Sequence, residues 1–100
     1  MLYSARSRRG LVPAPHHLAA PAGLDILKAG GNAVEAAVAV AAALAVLYPH
    51  MTGIGGDGFW LIRWPDGKMN AIDACGRAAH LATPALYNGL ENVPWRGGLA

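Results

Sequence analysis

The chain has 100 residues, 54% of them hydrophobic and 14% charged, with a net charge of +2 and one cysteine. Globular chains average roughly 45–50% apolar and about 25% charged residues, so this sequence carries more surface meant for burial than a domain of its size can cover by itself. The positive charge is concentrated in Arg6, Arg8 and Arg9, without a basic stripe interleaved with aromatics, which excludes a nucleic-acid surface. Cys75 has no partner for an internal disulfide or a structural zinc site, and it sets no compartment.

Residues 1–15 read as a flexible lead-in, basic and then proline-rich, with Leu11–Val12 as a short edge strand. No apolar h-region follows the basic residues, so a secretory signal is not indicated. A first helix is predicted from about Leu18 to Ala29. Leu18, Ala22 and Ile26 recur every four residues, Pro21 fits only the first turn, and Gly30–Gly31 ends the helix.

The second helix is predicted from Asn32, a good N-cap, with Glu35 three residues on as in a capping box. It runs to about Leu47 or Tyr48, where Pro49 stops it. Its apolar residues point all round, the pattern of a helix buried on most faces. Ala33–Tyr48 is half alanine and contains Glu35. It is shorter than the ~20 residues of a membrane span, which weighs against the membrane as a partner.

Gly53–Gly58 is a glycine-rich loop. No Lys-Ser/Thr pair follows it and a strand, not a helix, comes next, so it lacks the features of a nucleotide cradle. The glycines are expected to supply positive φ and close backbone approach where the helix turns into the sheet. Phe59–Trp64 and Lys68–Asp73 read as two strands joined by Pro65-Asp66-Gly67, a β-hairpin. Trp60 and Trp64 share one face of the first strand and are expected in a core. The remainder, broken by Pro84, Pro94 and Gly97–Gly98, allows one short helix around Pro84–Asn88. The order, a helix hairpin and then a β-hairpin, is that of an α+β arrangement.

Side chains that could carry chemistry are few. His16, His17, His50 and His80 lack metal-ligand spacing, so no metal site is expected. No cofactor motif is present. Cys75 could be a nucleophile if Arg77, two residues on, or His80 lowered its pKa; a buried, inert cysteine is the preferred reading.

The run Ala22-Gly-Leu-Asp-Ile-Leu-Lys-Ala-Gly-Gly-Asn-Ala-Val-Glu-Ala-Ala-Val-Ala39, followed by Pro49-His-Met-Thr-Gly-Ile-Gly-Gly56, resembles the opening of the γ-glutamyltranspeptidase (glutathione hydrolase) family. The resemblance covers roughly residues 11–83 and lies in the combined order and spacing of these segments. It implies that residues 16–100 are the N-terminal part of a large subunit in a four-layer αββα N-terminal-nucleophile hydrolase fold. In that family the precursor cleaves itself and exposes a threonine at the start of a small subunit. The threonine hydroxyl attacks a γ-glutamyl amide, usually of glutathione, with its own α-amine as base. Water or an amino acceptor then takes the acyl group. The implied partners are the rest of the same polypeptide and a small-molecule amide.

Two departures from the family pattern bear on function. Thr52 and Thr83 are the only threonines and neither sits in the nucleophile's context, so no catalytic residue is assigned and the chain alone is expected to be inactive. The family's carboxylate-binding arginine lies just after the second strand, in a segment like Asp-x-Arg-Glu-x-Ala-Pro. Here the segment is Asp73-Ala-Cys-Gly-Arg-Ala-Ala79, which puts Cys75 at the arginine position and Gly76 at the glutamate. Arg77, two residues later, is therefore the candidate substrate-binding residue, because a guanidinium suits a carboxylate. The alternative is a substrate without a glutamyl α-carboxylate. Gly-Asp-Gly-Phe-Trp after the loop resembles a side branch of the superfamily that acts on other amides such as oxamate. A different class of reading is a non-catalytic, truncated remnant that binds a partner through its apolar helix.

Overall fold

The computed structural model describes residues 4–99. The elements run in the order α1 (Ala20–Lys28), α2 (Ala33–Leu47), β1 (Gly58–Arg63), β2 (Met69–Ala74) and a short 3-10 helix, Pro84–Tyr87. The two helices pack on each other and the two strands pair with each other. The first three residues of the lead-in lie outside the described residues.

Local chemistry fixes each boundary. Pro21 occupies the first turn of α1, where its missing N–H costs no hydrogen bond. At the other end Gly30 adopts φ +91°, a conformation that favours glycine. The Gly31 N–H then donates to the Ile26 carbonyl at 2.9 Å and the Gly30 N–H to Leu27 at 3.2 Å, the paired bonds of a Schellman cap. One residue later α2 opens. Asn32 Oδ1 accepts the N–H groups of Val34 at 2.9 Å and Glu35 at 3.0 Å, while Glu35 Oε2 accepts the Asn32 N–H at 2.8 Å. The reciprocal box satisfies three amide donors at once. Replacing Asn32 with Ala is expected to destabilise α2 by about 1 kcal/mol, seen as an earlier loss of helical circular dichroism on heating.

The helix pair meets through small residues. Gly23 and Ala36 are both buried, and a Cβ at Gly23 would lie 2.7 Å from Val40 Cγ2, 2.8 Å from Val12 Cγ1 and 2.9 Å from the Ala36 carbonyl oxygen. The absent side chain is what lets α1, α2 and the segment at Val12 approach so closely. That segment is not a strand: Leu11–Val12 has no regular secondary structure and lies against the helix pair instead. No strand edge is available beside it, and Pro13 leaves the stretch without a continuous row of donors.

In the hairpin, Gly58 pairs with Ala74 and Arg63 with Met69 in antiparallel register. The Trp64 N–H donates to the Lys68 carbonyl at 2.8 Å, and Gly67 N–H to the Trp64 carbonyl at 2.9 Å, closing the Pro65-Asp66-Gly67 turn. Along β1 the side chains alternate, with Trp60 and Ile62 half-buried and Phe59 and Leu61 each 72% exposed. Trp64 lies one residue past the strand, 46% exposed, and its indole Nε1–H donates to Asn70 Oδ1 at 2.8 Å. The expected aromatic core is thus only half present, because no element among the described residues closes over the sheet.

The same holds for α2. Only Ala36 and Val40 of this helix are buried, and Val46 is 79% exposed. An apolar cleft of about 440 Å³ between the start of α2 and β1, lined among others by Ala37, Trp60 and Ile62, is left open. The helix has the composition of a buried element and lacks, within this chain, the surfaces that would bury it. No helix is long and apolar enough to cross a membrane among the described residues.

Candidate functional site

The rung Gly58–Ala74 ends the ladder, so the loop before β1 and the segment after β2 leave the sheet at the same end. That end gathers the glycine loop, Cys75 and the residues leading to Arg77. No ladder bond continues past it. Side chains take over: Asp73 Oδ1 accepts the Cys75 N–H at 3.0 Å, and Asp57 Oδ1 accepts the Gly76 N–H at 2.7 Å across nineteen residues of sequence. Gly76 is close enough that a Cβ there would sit 3.4 Å from the Asp57 oxygen.

The glycine loop differs from expectation. None of its glycines has a positive φ, and a Cβ at Gly53, Gly55 or Gly56 would meet nothing within 4 Å. Close approach within this chain therefore does not explain them. Their effect here is to leave a stretch of backbone facing open space beside the sheet end, with Asp57 as the loop's one charged side chain.

Cys75 is exposed, not buried. Its thiol is pushed above the ordinary cysteine range, first by its hydrogen bond to the Asp73 carboxylate, then by partial desolvation and by the charge of Asp57. The backbone N–H and the thiol of Cys75 in turn hold the Asp73 carboxyl below its usual value. Arg77 does not offset this, so the arrangement is the reverse of what an activated nucleophile needs. Less thiolate at neutral pH means slow alkylation. Asp73→Asn removes the charge that holds the proton, and is expected to speed alkylation by iodoacetamide, read by mass spectrometry; an equal or slower rate would contradict this electrostatic account.

Arg77 is exposed in the irregular segment 75–79, and among the described residues its guanidinium has no ion pair or hydrogen bond. The histidines are not brought together. His16 and His17 stack with centroids 4.8 Å apart, His50 packs on Tyr48 at 4.3 Å, and His80 lies in an exposed turn. Among the described residues no group of three His, Cys, Asp or Glu side chains could hold a metal ion. Thr52 sits in the turn after α2, with its N–H donating to the Tyr48 carbonyl at 3.2 Å, and Thr83 precedes the 3-10 helix. The residue that sequence reasoning missed is Asp57. Its signal was a lone carboxylate among glycines, but its partner is nineteen positions away.

Comparison with known proteins places this arrangement. Residues 19–100 match the family model for γ-glutamyltranspeptidase. Over 91 residues, 91% of this chain, the sequence is 57% identical to an oxamate amidohydrolase proenzyme of Klebsiella pneumoniae subsp. pneumoniae. It is 49% identical over 88 residues to a glutathione hydrolase-like proenzyme of Bacillus subtilis. The chain spans 17% of the length of each of these relatives. The crystal structure of Helicobacter pylori γ-glutamyltranspeptidase superposes with a TM-score of 0.75 at 40% identity, covering 81% of this chain and 23% of that one.

Proposed function

The chain belongs to the γ-glutamyltranspeptidase family, and from that premise we propose that it is the N-terminal segment of an N-terminal-nucleophile amide hydrolase or acyltransferase acting on γ-glutamyl amides. Residues 16–100 form the start of the large subunit, and the helix and strand hairpins belong to a four-layer αββα fold. In the complete fold α2 is the most buried element. The observation that carries the reading is the unbroken order of capped helix pair, glycine loop and β-hairpin, with large apolar faces uncovered on both hairpins.

The chemistry follows from the family mechanism. A threonine freed by self-cleavage, supplied from beyond this segment, attacks the amide carbonyl through its hydroxyl. Its α-amine takes the hydroxyl proton and passes it to the departing amine. The C–N bond breaks as an ester to the threonine forms, and water or an amino acceptor then releases the acyl group. Arg77 supplies the cation for the donor's α-carboxylate in place of the arginine that Cys75 replaces. A guanidinium fits that role because its planar fork pairs with both carboxylate oxygens.

A second reading has a specific observation in its favour. Cys75 stands where γ-glutamyl-binding relatives are expected to carry arginine, and the 57% identical relative is named for oxamate. An oxamate-type amide has its carboxylate directly on the amide carbonyl, so the cation must sit nearer the reacting carbon than for a γ-glutamyl group. The test is to assay the full-length protein with γ-glutamyl p-nitroanilide and with oxamate. Turnover of the anilide supports the first reading, turnover of oxamate alone supports the second, and turnover of neither overturns both.

A further inference from the structure

The segment that carries Arg77 is tied back to the hairpin by two carboxylates. Beyond Ala74 the ladder stops, and residues 75–79 have no regular structure. Asp73 holds the Cys75 N–H from within β2 itself. Among the described residues, the only hydrogen bond that ties 75–79 to an element other than β2 or its own following turn is the 2.7 Å bond from the Gly76 N–H to Asp57 Oδ1. Two consecutive amides are thus each held by a carboxylate, one from each side of the hairpin. Both bonds are charge-assisted, each roughly twice as strong as a neutral one, and the one to Asp57 is the shorter. It seats directly against Gly76, one residue before Arg77.

We infer that Asp57 is a positioning residue: by accepting the Gly76 N–H it fixes the path of Cys75–Arg77 and so places the Arg77 guanidinium for the substrate carboxylate. The inference rests on the reading of Arg77 as the carboxylate-binding residue. Asp57 acts through the backbone and does not itself touch the substrate. It also accounts for a carboxylate standing among loop glycines, of which Gly53, Gly55 and Gly56 face open space. A displacement of the cation by an ångström or so weakens a two-point carboxylate contact without altering the nucleophile, so the effect falls on KM more than on kcat.

The experiment is a double-mutant cycle in the full-length protein, with γ-glutamyl p-nitroanilide and oxamate as probes. Asp57→Ala is expected to raise KM about fivefold or more while kcat changes little. Asp57→Asn keeps an acceptor oxygen and is expected to bring KM back to within about twofold of the wild type. In an Arg77→Ala background, Asp57→Ala adds no further loss, because the two residues act as one unit. If Arg77→Ala raises KM and Asp57→Ala does not, the inference fails while the reading of Arg77 stands. If Arg77→Ala leaves KM unchanged, the reading fails and the inference with it. An Asp57 effect of equal size with and without Arg77 also overturns the inference, since it makes Asp57 merely structural. Should Asp57→Ala fail to fold, hydrogen exchange in Asp57→Gly, which also removes the acceptor, decides: faster exchange at residues 75–79 than in the wild type supports the clamp, and unchanged exchange overturns it.

Discussion

Purified alone, the 100-residue chain is expected to give no turnover of γ-glutamyl p-nitroanilide above the blank. Acyl transfer by an N-terminal nucleophile needs a hydroxyl and a free α-amine on the same residue. Thr52 and Thr83 are internal, and their nitrogens are peptide amides with no basic lone pair. The Thr52 nitrogen is also committed as a donor to the Tyr48 carbonyl. Cys75 offers no substitute, because Asp73 and Asp57 keep its proton on. Losing a nucleophile that works as a unit with its base removes on the order of a million-fold in rate. Turnover that co-purifies with the chain and disappears on mutating Thr52 or Cys75 would show that the chemistry resides here after all.

In the full-length protein, Arg77→Ala is expected to raise KM for carboxylate-bearing donors about ten-fold or more. A charge-assisted contact to a carboxylate is worth roughly 1.5–3 kcal/mol, and each 1.4 kcal/mol is about a factor of ten in affinity. Arg77 is available for the role: it is exposed and, among the described residues, makes no ion pair that would compete. Self-cleavage should continue in the variant, since that step does not use the donor's carboxylate. Steady-state kinetics with γ-glutamyl p-nitroanilide, together with gel analysis of subunit formation, separate the two. Unchanged donor kinetics would assign Arg77 to the surface and favour a substrate without an α-carboxylate.

Features written within a few residues were legible in the sequence. The Asn32–Glu35 box, the Gly30–Gly31 helix stop and the Pro65-Asp66-Gly67 turn are each set by neighbours in the chain, and the structure has all three. Features that depend on distant surfaces were not. Trp64 and Cys75 were expected inside and are exposed, because burial depends on contacts between distant elements, and among the described residues none covers them. Leu11–Val12 looked like a strand, but Val12 fills the gap that Gly23 opens between the helices while Leu11 stays largely exposed. The glycine loop was read through the conformations glycine permits, whereas its backbone needs no positive φ. At the site, Arg77 could be nominated from its place after β2, while the Asp57–Gly76 bond could not, since nothing in the sequence pairs positions nineteen apart until the hairpin register is known.

The central claim is that this segment opens an amide hydrolase whose nucleophile is made by self-cleavage, and the most direct test is the intact mass and N-terminal sequence of the folded full-length protein. Two chains are predicted: a larger one containing residues 16–100 and a smaller one beginning with threonine. A single uncleaved chain that still hydrolyses the amide, or a cleavage that exposes a residue other than threonine, would contradict the account.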